Sequence, residues 1–433
     1  MRHGRRQLTC GAVLAVAISL GCALLGSTPA GAPVDDMSAM LAQWVELGPA
    51  GVVIARAITR RADCPVVNFG AESQRMYVRA QPDAAHFPVR VCEMVLAPGT
   101  AAAAIEGRVL PMPRPNPRRI VVIGDTGCRL KEPQAFQACN DVQAWPFARI
   151  ARSAAGLKPD LVIHVGDYLY REAPCPVGNA GCAGSPSGNN WHTWEADFFA
   201  PAAELLRAAP WVVARGNHEV CSRAGHGWFR FLDPQLPALG CRHYTPAYRI
   251  PLGDLQLLML DTANVPDEGA PAESVVFYAA QFEALRQADG GPAWLVMHRP
   301  IWGVGQPDDA RKGADPFQLN ATLQAASNND LGAHVRLVLS GHVHAFEALG
   351  FAAGRPPQLI VGQSGTSLDP PITSPIVGTE IAGAAVAHGI TLARFGFTTL
   401  ESSDWGWMAT VRDVDGRAIA QCRLALDGMS CGE

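Results

Sequence analysis

The sequence predicts an α/β protein, with helices flanking the sheets, that is preceded by a small β domain. From residue 118 onward, short apolar runs rich in β-branched residues alternate with amphipathic stretches. This alternation is typical of strands and helices in an α/β core. Between about residues 45 and 110 the apolar runs are short and separated by turn residues, which favours an antiparallel β domain.

The composition sets the size of the molecule and excludes some classes of partner. The chain has 433 residues, of which 48% are hydrophobic and 17% charged, enough for one large domain and a smaller one. The net charge is -4, so no overall basic field attracts nucleic acid, and no nucleic-acid partner is expected. The acidic residues are scattered, which argues against an acidic interaction tail.

Residues 1–32 are predicted to form an export signal. Arg5 and Arg6 precede an apolar stretch from Leu8 to Gly26, and small residues follow, with cleavage expected near Ala30. The apolar stretch approaches the length of a membrane span, so an uncleaved anchor is a second interpretation. Under both interpretations the rest of the chain is exported, to the periplasm or the extracellular space.

Three regions follow the leader. Residues 45–110 form the predicted small β domain, and the proline-rich stretch 111–117 forms a stiff linker. Residues 118–433 form the main domain. Its predicted strands are Ile120–Ile123, Leu161–Val165, Trp211–Ala214, Leu255–Leu260, Trp294–Met297, Leu337–Leu339 and Leu359–Val361. Its predicted helices lie within Val142–Ala155, Ala202–Ala208 and Phe277–Ala288.

The cysteines agree with export. Ten cysteines remain outside the leader, and an even number in an exported chain indicates disulfides. The alternative of metal binding is weak because no CxxC spacing occurs. Although the sequence alone does not prove a connectivity, we expect sequence neighbours to pair: Cys64–Cys92, Cys128–Cys139, Cys175–Cys182, Cys221–Cys241 and Cys422–Cys431.

Five polar blocks at predicted strand ends carry the candidate chemistry. Open α/β sheets bind ligands at the carboxyl ends of their strands. The blocks bring two aspartates, a tyrosine, an asparagine and three histidines to that edge: Asp125, Asp167, Tyr170, Asn217, His298, His342 and His344. Oxygen donors mixed with imidazoles suit a pair of first-row metal ions rather than a structural zinc held by cysteines. Paired metal ions of this kind catalyse phosphoryl-ester hydrolysis.

The order of these residues resembles that of the calcineurin-like metallophosphoesterase superfamily, over about residues 118–365. Within it the chain is most similar to the purple acid phosphatase branch. Gly127 stands where other members have a histidine, and Tyr170 follows the second aspartate by three residues. The block from His298 to Trp302 also resembles that branch. The resemblance implies a four-layer αββα sandwich.

The resemblance also implies a ligand set for two metal ions. One ion, Fe(III), would be held by Asp125, Asp167, Tyr170 and His344. The second, a divalent Fe, Zn or Mn, would be held by Asp167, Asn217, His298 and His342. Asp167 would bridge the two. Tyr168 is an alternative phenol, although the spacing of the family selects Tyr170.

Three further residues receive roles beside the metal ligands. His218 follows Asn217 directly and is expected to face the leaving-group oxygen, as general acid or as a stabiliser of the transferring phosphoryl group. Glu219 is expected to orient His218 or a metal ligand. Arg299 follows His298, and two interpretations are open for it: contact with phosphate or a place on the surface.

The sequence therefore predicts an exported binuclear enzyme that hydrolyses small phosphate monoesters by attack of metal-bound hydroxide, as acid phosphatases do. One alternative is a phosphodiesterase or nucleotidase with the same metal site, because specificity depends on loops. Another is a metal-dependent binding protein without turnover, against which the complete ligand set argues. The oligomeric state is left open by the sequence.

Overall fold

The computed structural model of the chain describes residues 39–131, 136–237, 240–287, 290–305, 317–352, 354–425 and 428–432. The predicted export signal at residues 1–32 lies outside these residues. Within them, no helix combines the length and apolar character that a membrane crossing requires.

Strands dominate the described part of the chain. In chain order they are β1 (Met40–Leu47), β2 (Val53–Thr59), β3 (Val66–Phe69), β4 (Glu72–Arg75), β5 (Tyr77–Ala80), β6 (Arg90–Leu96), β7 (Ala104–Ile105), β8 (Arg108–Val109), β9 (Arg119–Ile123), β10 (Leu161–His164), β11 (Trp211–Val213), β12 (Tyr248–Leu252), β13 (Leu255–Met259), β14 (Ala293–Val296), β15 (Gly303–Gly305), β16 (Phe317–Leu319), β17 (Val335–Ser340), β18 (Phe346–Phe351), β19 (Gln358–Val361), β20 (Glu380–Ile381), β21 (Ala384–Leu392), β22 (Gly396–Ser403), β23 (Gly406–Asp413), β24 (Ala418–Ala425) and β25 (Gly428–Gly432).

The α-helices among these residues are α1 (Phe147–Gly156), α2 (Trp191–Trp194), α3 (Ala203–Ala208), α4 (Gly225–Phe231), α5 (Ala272–Arg286) and α6 (Ala321–Ser327). Short 3-10 turns cover Pro49–Gly51 and Asn217–Glu219, and a π-helical turn covers Glu195–Phe199. Helix α1 begins later than predicted because Pro146 occupies its N-terminal boundary. Helix α5 begins earlier, directly after Pro271.

Two large sheets organise the chain. One has eleven strands in the order β25-β24-β23-β22-β9-β10-β11-β1-β2-β6-β5, and the other has eight in the order β12-β13-β14-β17-β19-β18-β21-β20. Strands β9, β10 and β11 are parallel in the first sheet. Strands β13, β14, β17 and β19 are parallel in the second. The carboxyl ends of five of these strands, β9, β10, β11, β14 and β17, carry the polar blocks that the sequence singled out.

Three apolar layers hold the sheets and helices together. Side chains alternate along a strand, so Val121 and Val162 pack with helices α1 and α3 while their neighbours face the other sheet. Between the sheets, Ile120 and Ile163 meet Leu257 and other side chains of the second sheet. On its outer face, the second sheet packs against α5 and α6. The order of layers is therefore helix, sheet, sheet, helix, as predicted.

The N-terminal β region is present, and its strands are shared between two sheets. Strands β3, β4, β7 and β8 form a separate four-stranded sheet. In contrast, β1 pairs in parallel with β11, and β2, β6 and β5 continue the first sheet from there. By their contacts, residues 38–433 group into one compact unit.

A buried charge network ties these N-terminal strands to the segment after α4. The fully buried Arg56 lies 3.1 Å from Glu46 and 3.3 Å from Glu93, and it donates to the Phe231 carbonyl. Burial raises the pKa of Glu46 to about 7, against the opposing charge of Arg56. An arginine buried in this way must keep its partners, because an unpaired buried charge destabilises the fold strongly.

All five expected disulfides form: Cys64–Cys92, Cys128–Cys139, Cys175–Cys182, Cys221–Cys241 and Cys422–Cys431. Each closes a short loop, the longest spanning a sequence separation of 28 residues. Short loops of this kind typically contribute about 2–4 kcal/mol each by restricting the unfolded chain.

Candidate metal centre

The polar side chains meet where the parallel strands of both sheets end. Asp125 follows β9, Asp167 follows β10, and Asn217 follows β11. The second sheet contributes His298 after β14 and the pair His342 and His344 after β17. Two sheets thus deliver ligands from opposite sides to one place.

The first donor group, a set of side-chain atoms that could donate lone pairs to a metal ion, surrounds the phenol oxygen of Tyr170. That oxygen lies 2.9 Å from Asp125 Oδ1, 2.9 Å from Asp167 Oδ2 and 3.0 Å from His344 Nε2. Its single proton can satisfy only one of the two carboxylate oxygens. The other carboxylate oxygen then faces the phenol oxygen without the phenol proton between them, an arrangement that a cation would stabilise.

The second group of donors surrounds the amide oxygen of Asn217. Asn217 Oδ1 lies 2.8 Å from His298 Nε2 and 2.9 Å from His342 Nδ1. His298 Nε2 also lies 3.2 Å from Asp167 Oδ2. Ligand atoms of Asp167, His298 and His342 all lie within 4.8 Å of one another, close enough to share an ion.

The outer nitrogens of these two imidazoles are already occupied. His298 Nδ1 lies 2.9 Å from the Val165 carbonyl oxygen, and His342 Nε2 lies 3.0 Å from Asp267 Oδ1. A neutral imidazole has one N–H, and each ring directs it to the outer partner. The inner nitrogens therefore present lone pairs to the Asn217 oxygen, which is the geometry that suits a metal ion.

The backbone at three of these positions is strained. Asp125, Asp167 and His342 have φ values of 56°, 61° and 76°, in the left-handed region that residues with a side chain rarely adopt. Such conformations cost about 1–3 kcal/mol each and cluster at functional sites. Gly216 allows the close approach, because a Cβ there would lie 2.0 Å from Asp167 Oδ1.

Gly127 leaves room for the segment that carries Tyr170. A Cβ at position 127 would lie 2.7 Å from the Tyr168 carbonyl oxygen and 2.8 Å from the Tyr170 amide nitrogen. No side chain fits there, so the segment that carries Tyr170 passes close to the first polar block. Tyr168 points elsewhere: its hydroxyl donates to the Ala214 carbonyl, and its ring stacks on His164.

The electrostatics of the buried carboxylates also fit a cation. Burial and the charge of Asp167 raise the pKa of Asp125 well above its usual range. Burial raises the pKa of Asp167 as well, but His298 and His218 outweigh it and hold the pKa well below the usual value. Burial and the two aspartates raise the pKa of Tyr170. A bound ion would favour all three anions at once.

His218 lies against this cluster. Its backbone amide donates to Asp167 Oδ1 at 2.8 Å, and its ring packs 3.8 Å from the Tyr170 ring between centroids. Its Nδ1 lies 2.9 Å from Glu172 Oε1, and its Nε2 lies 3.9 Å from Asp167 Oδ2. Burial lowers the pKa of His218 to about 4, against the opposing charge of Asp167.

Glu219 supports the loop that carries the bridging aspartate. Its carboxylate is fully buried and accepts four backbone N–H groups. Oε1 accepts from Tyr168 and Leu169, at 2.9 and 3.2 Å. Oε2 accepts from Asp167 and Gly216, at 3.2 Å each. Glu219 therefore holds together the loops that follow β10 and β11, which carry the ligands Asp167 and Asn217.

Sequence reasoning missed two carboxylates, Asp267 and Asp369. Asp267 contacts the outer imidazole nitrogen of His342, and Asp369 accepts from the backbone of His344. Asp267 Oδ1 lies next to His342 as described, and Asp369 Oδ2 accepts from the His344 amide at 2.9 Å. Arg299 is buried and pairs with Asp267 rather than reaching the surface. Asp267 lies in the loop after β13, beyond the strand end at Met259, so no strand-end signal indicated it.

Cationic side chains lie around the donors. Burial, then the charges of Arg223 and Arg129, lower the pKa of Lys131, and Asp167 acts on the same lysine from the cluster. Arg223 Nη2 lies 2.7 Å from the His218 imidazole and forms an ion pair with Glu172. Lys131 thus places a positive charge near Asp167, which favours an anionic substrate.

The comparison with known protein families settles the class of the protein. Residues 118–346 match the family of calcineurin-like phosphoesterases, more than half of the chain. The protein is a calcineurin-like phosphoesterase. A search of curated protein sequences finds no match. Membership implies a dinuclear metal site, and the two donor groups above fit one.

Two solved structures have a similar fold. A purple acid phosphatase, PPD1 from yellow lupin (Lupinus luteus) seeds, is 14% identical, with a TM-score of 0.57, over 88% of this chain and 74% of that one. PhoD is 13% identical, with a TM-score of 0.57, over 91% of this chain and 92% of that one. The calcineurin-like phosphoesterase thus shares its overall fold with both. It is an enzyme that hydrolyses phosphoric esters.

Proposed function

We propose that this calcineurin-like phosphoesterase is an exported phosphomonoesterase of the acid phosphatase type, acting on small phosphorylated substrates. The observation that carries the proposal is the convergence of seven donor residues into two groups that share Asp167. One ion would be held by Asp125, Asp167, Tyr170 and His344. The other would be held by Asp167, Asn217, His298 and His342.

The two ions would activate a water molecule as the nucleophile and polarise the phosphate oxygens. Residues of the chain would supply the remaining catalytic groups. His218 is our proposed general acid, because it lies beside the bridging Asp167 and its Nδ1 is held by Glu172. A general acid in this place donates a proton to the leaving-group oxygen as the P–O bond breaks.

The surrounding charge supports a monoester over a diester. A phosphate monoester carries two negative charges near neutral pH, and a diester carries one. Lys131, which interacts electrostatically with Asp167, therefore attracts a monoester more strongly. A phosphodiesterase or nucleotidase with the same donors is the alternative outcome.

The proposed metals are Fe(III) at the position of Tyr170 and divalent Fe, Zn or Mn at the other. The contacts of the Tyr170 hydroxyl with two carboxylates support this assignment, because a phenolate adds a third anion around one ion. A hard, trivalent ion suits such a set of oxygen donors. Export is supported by the five disulfides, which persist in oxidising compartments.

A colorimetric assay tests the substrate class. Nitrophenyl phosphate and bis(nitrophenyl) phosphate are offered to the protein after loading with iron and zinc. We expect kcat/KM to be higher for the monoester. A higher kcat/KM for the diester would indicate a phosphodiesterase instead. If the protein hydrolyses neither substrate, the proposed substrate class is wrong.

A further inference from the structure

Asp267 lies outside the two donor groups but contacts one of their histidines, His342. His342 faces Asn217 with Nδ1, at 2.9 Å, and faces Asp267 with Nε2, at 3.0 Å. Since the imidazole has one N–H when neutral, a carboxylate at Nε2 keeps the proton there. The lone pair at Nδ1 is then free for an ion, and the plane of the ring is fixed.

Asp267 is itself held in place by Arg299. Arg299 Nε donates to Asp267 Oδ1 at 2.6 Å, and Nη2 donates to Oδ2 at 3.0 Å. The same guanidinium donates to the Ala263 carbonyl at 2.7 Å and is buried, so it has little freedom to move. A two-pronged contact of this kind fixes the orientation of the carboxylate as well as its distance.

The histidine of the other donor group lacks an equivalent contact. His344 Nδ1 lies 3.5 Å from Asp369 Oδ1 and has no hydrogen-bond partner among the described residues. Asp369 instead accepts from the backbone amide of His344. The two groups thus differ, because the outer imidazole nitrogen of His342 lies 3.0 Å from a carboxylate oxygen, whereas that of His344 lies 3.5 Å from one.

We infer that Asp267, held by Arg299, is a positioning residue for the metal ion of the Asn217, His298 and His342 group. It fixes the tautomer and orientation of His342, and it does not serve the position of Tyr170 and His344. The inference rests on the proposed assignment of ligands. Removing an outer carboxylate of this kind typically lowers metal affinity about 10–100-fold.

Zinc titration of the metal-free, full-length protein against a chromophoric chelator tests this. In Asp267→Ala, one of the two zinc equivalents should bind about 10–100-fold more weakly while the other is unchanged. In Asp267→Asn, which keeps an acceptor oxygen for His342, the loss should be smaller. Combining Asp267→Ala with His344→Ala identifies the affected position, because His344→Ala weakens the other equivalent.

Asp415→Ala is the matched control. Asp415 is a half-exposed carboxylate paired with arginines, at 2.6 Å from Arg149 and 3.2 Å from Arg417, and it contacts none of the ligands. It should bind both zinc equivalents normally. Because Asp267→Ala leaves the buried Arg299 without that carboxylate, metal-free thermal unfolding of both variants measures any loss of stability separately from the loss of zinc affinity. Normal zinc affinity in both Asp267 variants would overturn the inference.

Asp167→Asn separates this inference from the ligand assignment. If that variant loses zinc while Asp267→Ala does not, only the role of Asp267 is wrong. If Asp167→Asn binds both equivalents as the unmodified protein does, the assignment of ligands itself is wrong.

Discussion

Glu219→Gln should loosen the loops that carry the bridging aspartate. The Glu219 carboxylate accepts four buried backbone N–H groups, two on each oxygen. A glutamine keeps one acceptor oxygen and turns an NH₂ group toward the other two donors. Each buried donor left without a partner costs about 1–3 kcal/mol, so we expect a loss of about 2–6 kcal/mol.

Much of that cost should appear as weaker metal binding, because the affected amides belong to Asp167 and its neighbours. At 1.4 kcal/mol per factor of ten, a loss of about 2 kcal/mol lowers zinc affinity roughly 30-fold. Chelator competition measures this affinity, and urea unfolding of the metal-free protein measures the remaining destabilisation as a lower midpoint.

Glu347→Gln provides the control for burial and charge. Glu347 is also fully buried, but it accepts a single backbone N–H, from Val304 at 3.0 Å, and its other oxygen has no partner among the described residues. A glutamine can keep that one bond. If Glu219→Gln has the same urea midpoint and zinc affinity as Glu347→Gln, the four N–H contacts do not support the metal centre and the reasoning is wrong.

Further outcomes follow from other residues. Asp167→Asn should abolish turnover and lower the metal content measured by elemental analysis, since it removes the shared ligand. His218→Ala should retain both metals and slow turnover about 10²–10⁴-fold, less for esters with good leaving groups; equal loss for all esters would exclude the general acid. Tyr170→Phe should bleach the violet charge-transfer band expected of the Fe(III) protein, whereas His218→Ala should not. Burial raises the pKa of Glu46 to about 7 against an unfolded value near 4.5, so stability should fall as pH rises through that range, by about 3 kcal/mol. Urea midpoints across this pH range should change less in Glu46→Gln; an unaltered pH dependence would contradict the shift.

The strand ends were predictable because their signals are local. A buried parallel strand needs a continuous apolar run, and the polar residue that ends it stands next to it in sequence. Asp125, Asp167 and Asn217 each satisfy this rule, and the structure brings them together with His298 and His342. The pairing of cysteines was predictable for a similar reason, since each pair closes a short loop.

Contacts between distant loops were not predictable from the sequence. Asp267 contacts His342 across two different connections, and neither residue's neighbours in sequence indicate the other. Arg299 stands beside a ligand, yet its long side chain turns toward Asp267, a direction that the sequence does not show. The pairing of β1 with β11 was also not predictable, because the alternation of residues along a strand defines its two faces and not the strand beside it.

The position of the N-terminal strands has a consequence for the limits of the catalytic unit. The family match covers residues 118–346, and the described residues of that span contribute β9, β10 and β11 to the first sheet. Strand β1 covers the edge of β11, and β22 covers the edge of β9. A shortened protein of residues 118–346 would therefore expose two apolar edges and associate with itself. Because β22 is made late in synthesis, β9, whose end carries Asp125, gains its partner strand on that edge only when the last strands emerge.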